Sequence, residues 1–188
     1  MTFNSSFDPP ISSVAGDARR ASPHYPTPSP LLLRSPTRHD GAKIHRLITQ
    51  CPPLDVNSLY AYLLLSEHFA RTSVVAVRNG QLLGYVSGYI PPARPDVLFV
   101  WQVAVHPKGR GQGVGSRMLH HILQVNRRQG IRYVETTVSP SNRASRQMFY
   151  KLAQSLNVSL QETPLFDPDL FQGENHEAEP LLRLGPID

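Results

Sequence analysis

The chain is short of several things that whole classes of protein require. Cys51 is the one cysteine among its 188 residues, so a disulfide framework and a cysteine-based zinc site are both excluded. Long apolar runs are missing. The stretch from Leu82-Leu83 onward is broken within a few residues, whereas a transmembrane helix needs about 20 consecutive apolar residues. Internal repeats are absent too. Arg19-Arg20 is followed by no apolar segment of the kind an export signal carries, so a cytoplasmic protein is expected. What is present suffices for a packed domain: hydrophobic residues make up 40% of the chain, which excludes global disorder.

Charge is divided unevenly. Residues 101–151 hold nine bases and a single acid, Glu135, a net of +8, whereas residues 152–188 set Arg183 against seven acids, a net of −6. A basic middle and an acidic end predict an anion site beside a cation site. Nucleic-acid binding is not expected from the basic segment, because it has neither interleaved aromatics nor a reading helix.

Residues 1–30 are rich in Ser and Pro without a period and read as a disordered tail; residues 31–188 read as the folded domain. Leu31–Arg34 predicts a strand ended by Pro36. A helix follows over 40–48, broken by Pro52-Pro53, and a second over 56–69 with Leu59, Leu63 and Phe69, flanked by Tyr60 and Leu64, as its inner face. Thr72–Val77 and Gln81–Ile90 read as strands joined at Asn79-Gly80, a two-residue hairpin signal. Val97–Val105 is a strand, Val114–Arg128 an amphipathic helix with Gly130 as its C-terminal stop, Arg132–Val138 a strand, Asn142–Leu156 a helix and Leu181–Leu184 a last strand. This order predicts an α/β fold on a sheet of mixed direction.

The most informative segment runs from Val103 to Gly115, where a strand enters a glycine-rich turn that opens a helix. Glycines admit positive φ and close approach of a ligand, and the free N–H groups of a helix start attract phosphate. The Walker pattern fails, because no Gly-Lys-Ser/Thr follows. The dinucleotide pattern fails because its glycine spacing is missing and no acid follows about 20 residues on. The segment Arg110-Gly111-Gln112-Gly113-Val114-Gly115 resembles the R/Q-x-x-G-x-G/A signature of the GNAT N-acetyltransferases. Val103-Ala104-Val105-His106-Pro107 resembles the strand that precedes that turn, and Leu33-Arg34-Ser35-Pro36-Thr37 with Asp40 and Ile44 resembles the family's opening strand and helix. The resemblance covers residues 31–156 and implies a centrally splayed mixed sheet flanked by helices, with acetyl-CoA as co-substrate and no metal. It implies a pyrophosphate on the amides from Arg110 through Gly111, Gln112, Gly113, Val114 and Gly115 to Ser116, and a pantetheine along the strand edge at Val103 and Val105. Asn142 would join that cofactor site.

A finer resemblance spans about 51–185. Cys51–Leu65, Gly88–Pro92, Phe99–Val105, Glu135–Asn142 and His176–Leu181 are similar to the diaminobutyrate acetyltransferases of ectoine biosynthesis. That family acetylates the 4-amino group of L-2,4-diaminobutanoate in making a compatible solute, and it implies a homodimer. The Ser/Pro tail lies outside the resemblance. Other GNAT chemistry stays open: another small amine, a polyamine or a protein N-terminus, or an acetyl-CoA-binding regulatory domain without turnover.

The reaction needs a neutral amine, and freeing an alkyl amine of pKa about 10.4 near neutral pH costs roughly 4 kcal/mol. A proton acceptor is therefore required. His176 and Glu179 lie in a polar loop before the last strand, which by charge pattern alone could equally be solvated; the finer resemblance implies them as proton acceptors or substrate ligands, with Glu135 as a rival base that Arg132 or Arg143 could instead engage. Asp55 suits a substrate ammonium, or else the cap of the following helix. Tyr60 and Trp101 suit a wall around the substrate by cation–π contact, and strand alternation puts Trp101 on the face of Val103 and Val105. Many GNAT enzymes carry a tyrosine acid seven residues after the equivalent of Asn142. Phe149 stands there and Tyr150 comes one later, turned by about 100°. Cys51 reads as a packed residue, and His120-His121 as surface.

Overall fold

The computed structural model describes Met1, residues 29–172 and residues 176–187. The expected N-terminal tail lies almost wholly outside the described residues. The elements are β1 (Leu32–Arg34), α1 (Gly41–Thr49), α2 (Leu59–His68), β2 (Val74–Arg78), β3 (Gln81–Tyr89), β4 (Val97–Val105), α3 (Val114–Asn126), β5 (Tyr133–Thr137), α4 (Arg143–Leu156), β6 (Leu160–Phe166) and β7 (Glu179–Leu184). They build one seven-stranded sheet in the order β1-β2-β3-β4-β5-β7-β6. Every neighbouring pair is antiparallel except β4 and β5.

Two cores sandwich the sheet. Helices α3 and α4 cover one face through Met118, Leu119, Ile122, Phe149 and Leu152, against Val86, Leu98, Val134 and Leu182. Helices α1 and α2 cover the first half of the other face through Ile44, Ile48, Tyr62 and Leu65, against Val75, Tyr85 and Ala104. Each fully buried side chain of this size contributes roughly 1.5–3 kcal/mol.

The turns follow the expected chemistry. Asn79 and Gly80 both take positive φ, 51° and 72°, which suits the twist of a two-residue hairpin. Gly130 closes the turn after α3 at φ 73°. Two expectations need correction. The inner face of α2 is not Leu59, Leu63, Leu64 and Phe69, which are 36–45% exposed, but Tyr62, Leu65 and Ser66. With Leu or Tyr at six of the seven positions from Leu59 to Leu65, hydropathy marks no single side, and burial of the Tyr62 hydroxyl is decided by its partners. Strand β6 was not anticipated. It is an edge strand, exposed along almost its whole length, and Glu162 and Pro164 obscure its pattern.

The feature that positions the site is a break between β4 and β5. They pair only over Val97–Phe99 and Tyr133–Glu135, and then diverge. On its other side β4 carries a bulge: Gln102 faces Ser87 and Val100 faces Gly88, leaving Trp101 as the extra residue. The bulge reverses the parity of the strand. Leu98 and Val100 face the α3/α4 core before it, and Val103 and Val105 face that core after it. Gly88 opposite the bulge admits no side chain, since a Cβ would stand 2.8 Å from the Phe99 carbonyl oxygen.

Candidate active site

The divergence of β4 from β5 leaves one edge of β4 unpaired. His106 N–H donates to Leu83 O at 2.9 Å on the β3 side, so alternation turns the amides of Val103 and Val105 toward the opening. The carbonyl of Val105 faces the same way and accepts from Arg110 Nε at 3.3 Å and Cys51 Sγ at 3.5 Å.

A first cavity of about 510 Å³ lies along this edge. The glycine turn forms one end. Gly111 and Gly113 hold φ of 73° and 69°, and a Cβ on either would point into open space. Those residues form a cradle that side chains would fill, which fits a phosphate-bearing ligand on the start of α3. Gly115 serves a second purpose, since a Cβ there would meet Met148 Sδ at 2.8 Å, so it lets α3 approach α4. Arg110 and Lys151 line the cavity with positive charge, together with Val103, Val105, Val114, Ser116 and Asn142. Gln112 turns away: its amide donates to Lys108 O at 2.7 Å and accepts from Arg78 at 2.8 Å, bracing the turn from behind. Only its backbone is left to serve a ligand.

Cys51 also lines this cavity, but it is 3% exposed. Burial pushes its thiol pKa up against a smaller opposing pull from Arg110, which suppresses the thiolate.

A second cavity of about 470 Å³ opens between β4 and the C-terminal end of β5. It shares Pro53, Leu54, Val103, Asn142 and Ser145 with the first, so the two meet at the unpaired edge of β4. Asp55, Trp101, His176 and Glu179 all line it. Segments far apart in the chain thus converge, as expected for those four residues. Tyr60 is not brought in: it is 67% exposed on α2 and lines neither cavity.

Asp55 does not cap α2, since Ser58 does, its hydroxyl accepting from Ala61 N–H at 3.2 Å. The Asp55 carboxylate is left for the cavity. Asn142 caps α4, its side-chain oxygen accepting from Ser145 N–H at 3.1 Å, and lines both cavities as well. His176 stacks on Phe171 with ring centroids 3.9 Å apart, and its Nδ1 lies 2.7 Å from Glu177 O. A carbonyl only accepts, so Nδ1 donates; in the neutral ring Nε2 then holds a lone pair free to take a proton. Glu177 is bound through the Ser141 side chain and N–H, which hold its carboxyl below the usual range.

Glu135 is removed from contention as a base. It is fully buried and paired with Arg94 and Arg183, each at 2.6 Å, rather than with Arg132 or Arg143. Tyr150 is 43% exposed and lines neither cavity, while Phe149 closes the floor of the second. Sequence reasoning gave no role to Thr136, Thr137, Ser139 and Ser141, which line the second cavity. Their signal is positional: they lie at and just beyond the C-terminal end of β5, beside a break in the sheet, where ligands of α/β folds bind.

Comparison with known proteins agrees with this geometry. The Acetyltransferase (GNAT) family model matches residues 42–153. An L-2,4-diaminobutyric acid acetyltransferase of Bordetella parapertussis is 54% identical over 156 residues, 82% of this chain and 84% of that one. One from Halomonas elongata is 42% identical over 160 residues, 85% and 83% of the two chains. The chain belongs to the GNAT acetyltransferases, among the L-2,4-diaminobutyric acid acetyltransferases. A solved diaminobutyrate acetyltransferase of Paenibacillus lautus, in complex with its substrate L-2,4-diaminobutyric acid and coenzyme A, superposes with a TM-score of 0.81. It is 38% identical and covers 84% of this chain and 96% of its own.

The splayed mixed sheet is thus that of a GNAT acetyltransferase. The second cavity is acidic. Asp55, Glu177 and Glu179 line the second cavity, and no lysine or arginine does among the described residues. No three His, Cys, Asp or Glu side chains among the described residues are arranged to hold a metal.

Proposed function

We propose that this acetyltransferase transfers the acetyl group of acetyl-CoA to the 4-amino group of L-2,4-diaminobutanoate, giving N4-acetyl-L-2,4-diaminobutanoate for ectoine biosynthesis. The observation that carries the reading is the junction at Val103 of a cation-lined, glycine-cradled cavity with an acidic one. The substrate has two ammonium groups and one carboxylate, and the acidic cavity matches the excess of positive charge.

Acetyl-CoA supplies the acetyl group as a thioester. Arg110 and the amides from Gly111 through Gln112, Gly113, Val114 and Gly115 to Ser116 bind its phosphates. The cleft-facing amides at Val103 and Val105 orient its arm, with Asn142 beside them, and donate toward the carbonyl oxygen where charge develops. Asp55 holds one ammonium, and Trp101 walls the amine by cation–π contact. Glu179 and Nε2 of His176 take the proton that the attacking nitrogen must lose. The substrate carboxylate is left to neutral donors, Thr136, Thr137, Ser139 and Ser141. Dependence on acetyl-CoA supports a cytoplasmic enzyme. The homodimer implied by the resemblance belongs to the same proposal, and light scattering of the purified chain tests it.

The experiment is CoA release by the purified protein from acetyl-CoA with L-2,4-diaminobutanoate, run beside spermidine and lysine, with NMR of the product. Turnover with acetylation at N4 is expected. Turnover of spermidine or lysine alone would discard the substrate and keep the family.

A further inference from the structure

The residue after the bulge in β4 is a glutamine, and it is buried. Gln102 is 6% exposed, on the strand face that otherwise packs Ala104 against Tyr62 and Tyr85. An amide is costly to bury without partners, and both polar groups of this side chain have one. Its Nε2 donates to the carbonyl oxygen of Asp55 at 2.9 Å. Its Oε1 accepts from the Tyr62 hydroxyl at 3.4 Å. Its backbone N–H donates to Ser87 Oγ at 3.2 Å, which fixes the bulge itself. The Tyr62 hydroxyl, on a ring that is fully buried, in turn accepts from Asn57 N–H at 3.1 Å.

The segment from Pro52 to Ser58 has no helix or strand to hold it. Leu54 packs on the core and its N–H donates to Cys51 O at 3.1 Å; from Asp55 to Asn57 the segment is tied down by these two bonds, one at the Asp55 carbonyl and one at the Asn57 amide. The Asp55 carboxylate itself makes no hydrogen bond to a described residue and lines the acidic cavity. Trp101, Gln102 and Val103 line that cavity too.

We propose that Gln102, steadied by Tyr62, is the positioning residue that fixes Asp55 against the amine substrate and couples its place to the bulge that opens the cleft. The proposal rests on the diaminobutanoate reading; Gln102 reaches the wall of the cavity, but its side-chain amide is engaged by Asp55 and Tyr62, so its effect runs through Asp55.

The test is a double-mutant cycle on the full chain, with KM for diaminobutanoate and for acetyl-CoA measured separately. Gln102→Met is expected to raise KM for diaminobutanoate about tenfold, the scale of one lost hydrogen bond, and to leave KM for acetyl-CoA within about twofold. Tyr62→Phe repeats the pattern at smaller size and stands in if Gln102→Met fails to fold. In an Asp55→Ala background either change should add less than about twofold, because the group it positions is gone. An unchanged KM for diaminobutanoate, equal rises in both KM values, or the full effect persisting without the Asp55 carboxylate would each overturn the proposal. Wild-type protein that leaves diaminobutanoate untouched overturns the substrate reading first, and the inference with it.

Discussion

The two cavities that meet at Val103 are built in opposite ways. The first centres on one continuous stretch, Val103 to Ser116, where the strand edge, two glycines at positive φ and a helix start lie within fourteen residues, walled by the 51–54 segment and by α4. The second is assembled from the 53–55 segment, β4, the end of β5, the residues after it, the first turns of α4, and Phe166, Phe171, His176, Glu177 and Glu179. The first carries Arg110 and Lys151; the second carries Asp55, Glu177 and Glu179 without a lysine or arginine among the described residues. The difference separates what is common from what is particular. Backbone geometry recognises a phosphate whatever the chain transfers, whereas a charge constellation recognises one kind of amine.

The sharpest way to break this division is to remove the proton acceptors. Glu179→Ala and His176→Ala should each lower kcat, by about 100-fold or more for the residue that takes the proton, and leave KM for acetyl-CoA unchanged. A rise in KM for acetyl-CoA in either variant would mean that the cavities are not independent. Next in size is the effect of trimming the substrate. 4-Aminobutanoate lacks the second ammonium and should lose about a hundredfold in kcat/KM, while 1,3-diaminopropane lacks the carboxylate and should lose about tenfold, because the ammonium meets an opposite charge at Asp55 whereas the carboxylate meets only neutral donors. The reverse order would reveal a cation for the carboxylate that the described residues do not supply.

Gly113→Ala attacks the other side. At φ 69° a Cβ costs roughly 1–2 kcal/mol, and it projects into the phosphate cradle. KM for acetyl-CoA should rise about tenfold or more, and KM for diaminobutanoate should hold.

The same contrast governs what could be read from the sequence. The glycine turn was legible because its chemistry is local: residue type, spacing and the following helix all lie in one line. The strand–helix order was legible for the same reason, apart from exposed β6. The second cavity was not legible from spacing. His176 and Glu179 rest on the family resemblance, Asp55 and Trp101 on residue chemistry, and nothing in the pattern says that residues 55 and 179 line one cavity. Tyr60 was misplaced because the run Leu59–Leu65 is apolar on every side, so periodicity could not reveal that Tyr62 turns inward to Gln102. The bulge at Trp101 has no signature of its own, yet it reverses the strand's parity and thereby decides what faces the cleft.

A last prediction lies outside both cavities and serves as their control. Asp40 precedes α1 and is 3% exposed. Arg34 on β1 donates to both its oxygens at 2.7 and 2.9 Å, and Thr37 adds its N–H and hydroxyl. Chiefly the Arg34 bonds hold its carboxyl down to about 2, from 3.8. A carboxylate depressed in the folded state contributes stability above its unfolded pKa, and that contribution is lost as pH falls from about 4 to about 2. Arg34 is 38% exposed, so solvent reduces the pair to on the order of 1–2 kcal/mol. Asp40→Asn should therefore lower the urea-unfolding free energy by that amount at pH 7 and by little near pH 2, with both KM values unmoved. A shift in either KM would tie this remote pair to the site, and the separation between scaffold and cavities would then fail at its outermost point.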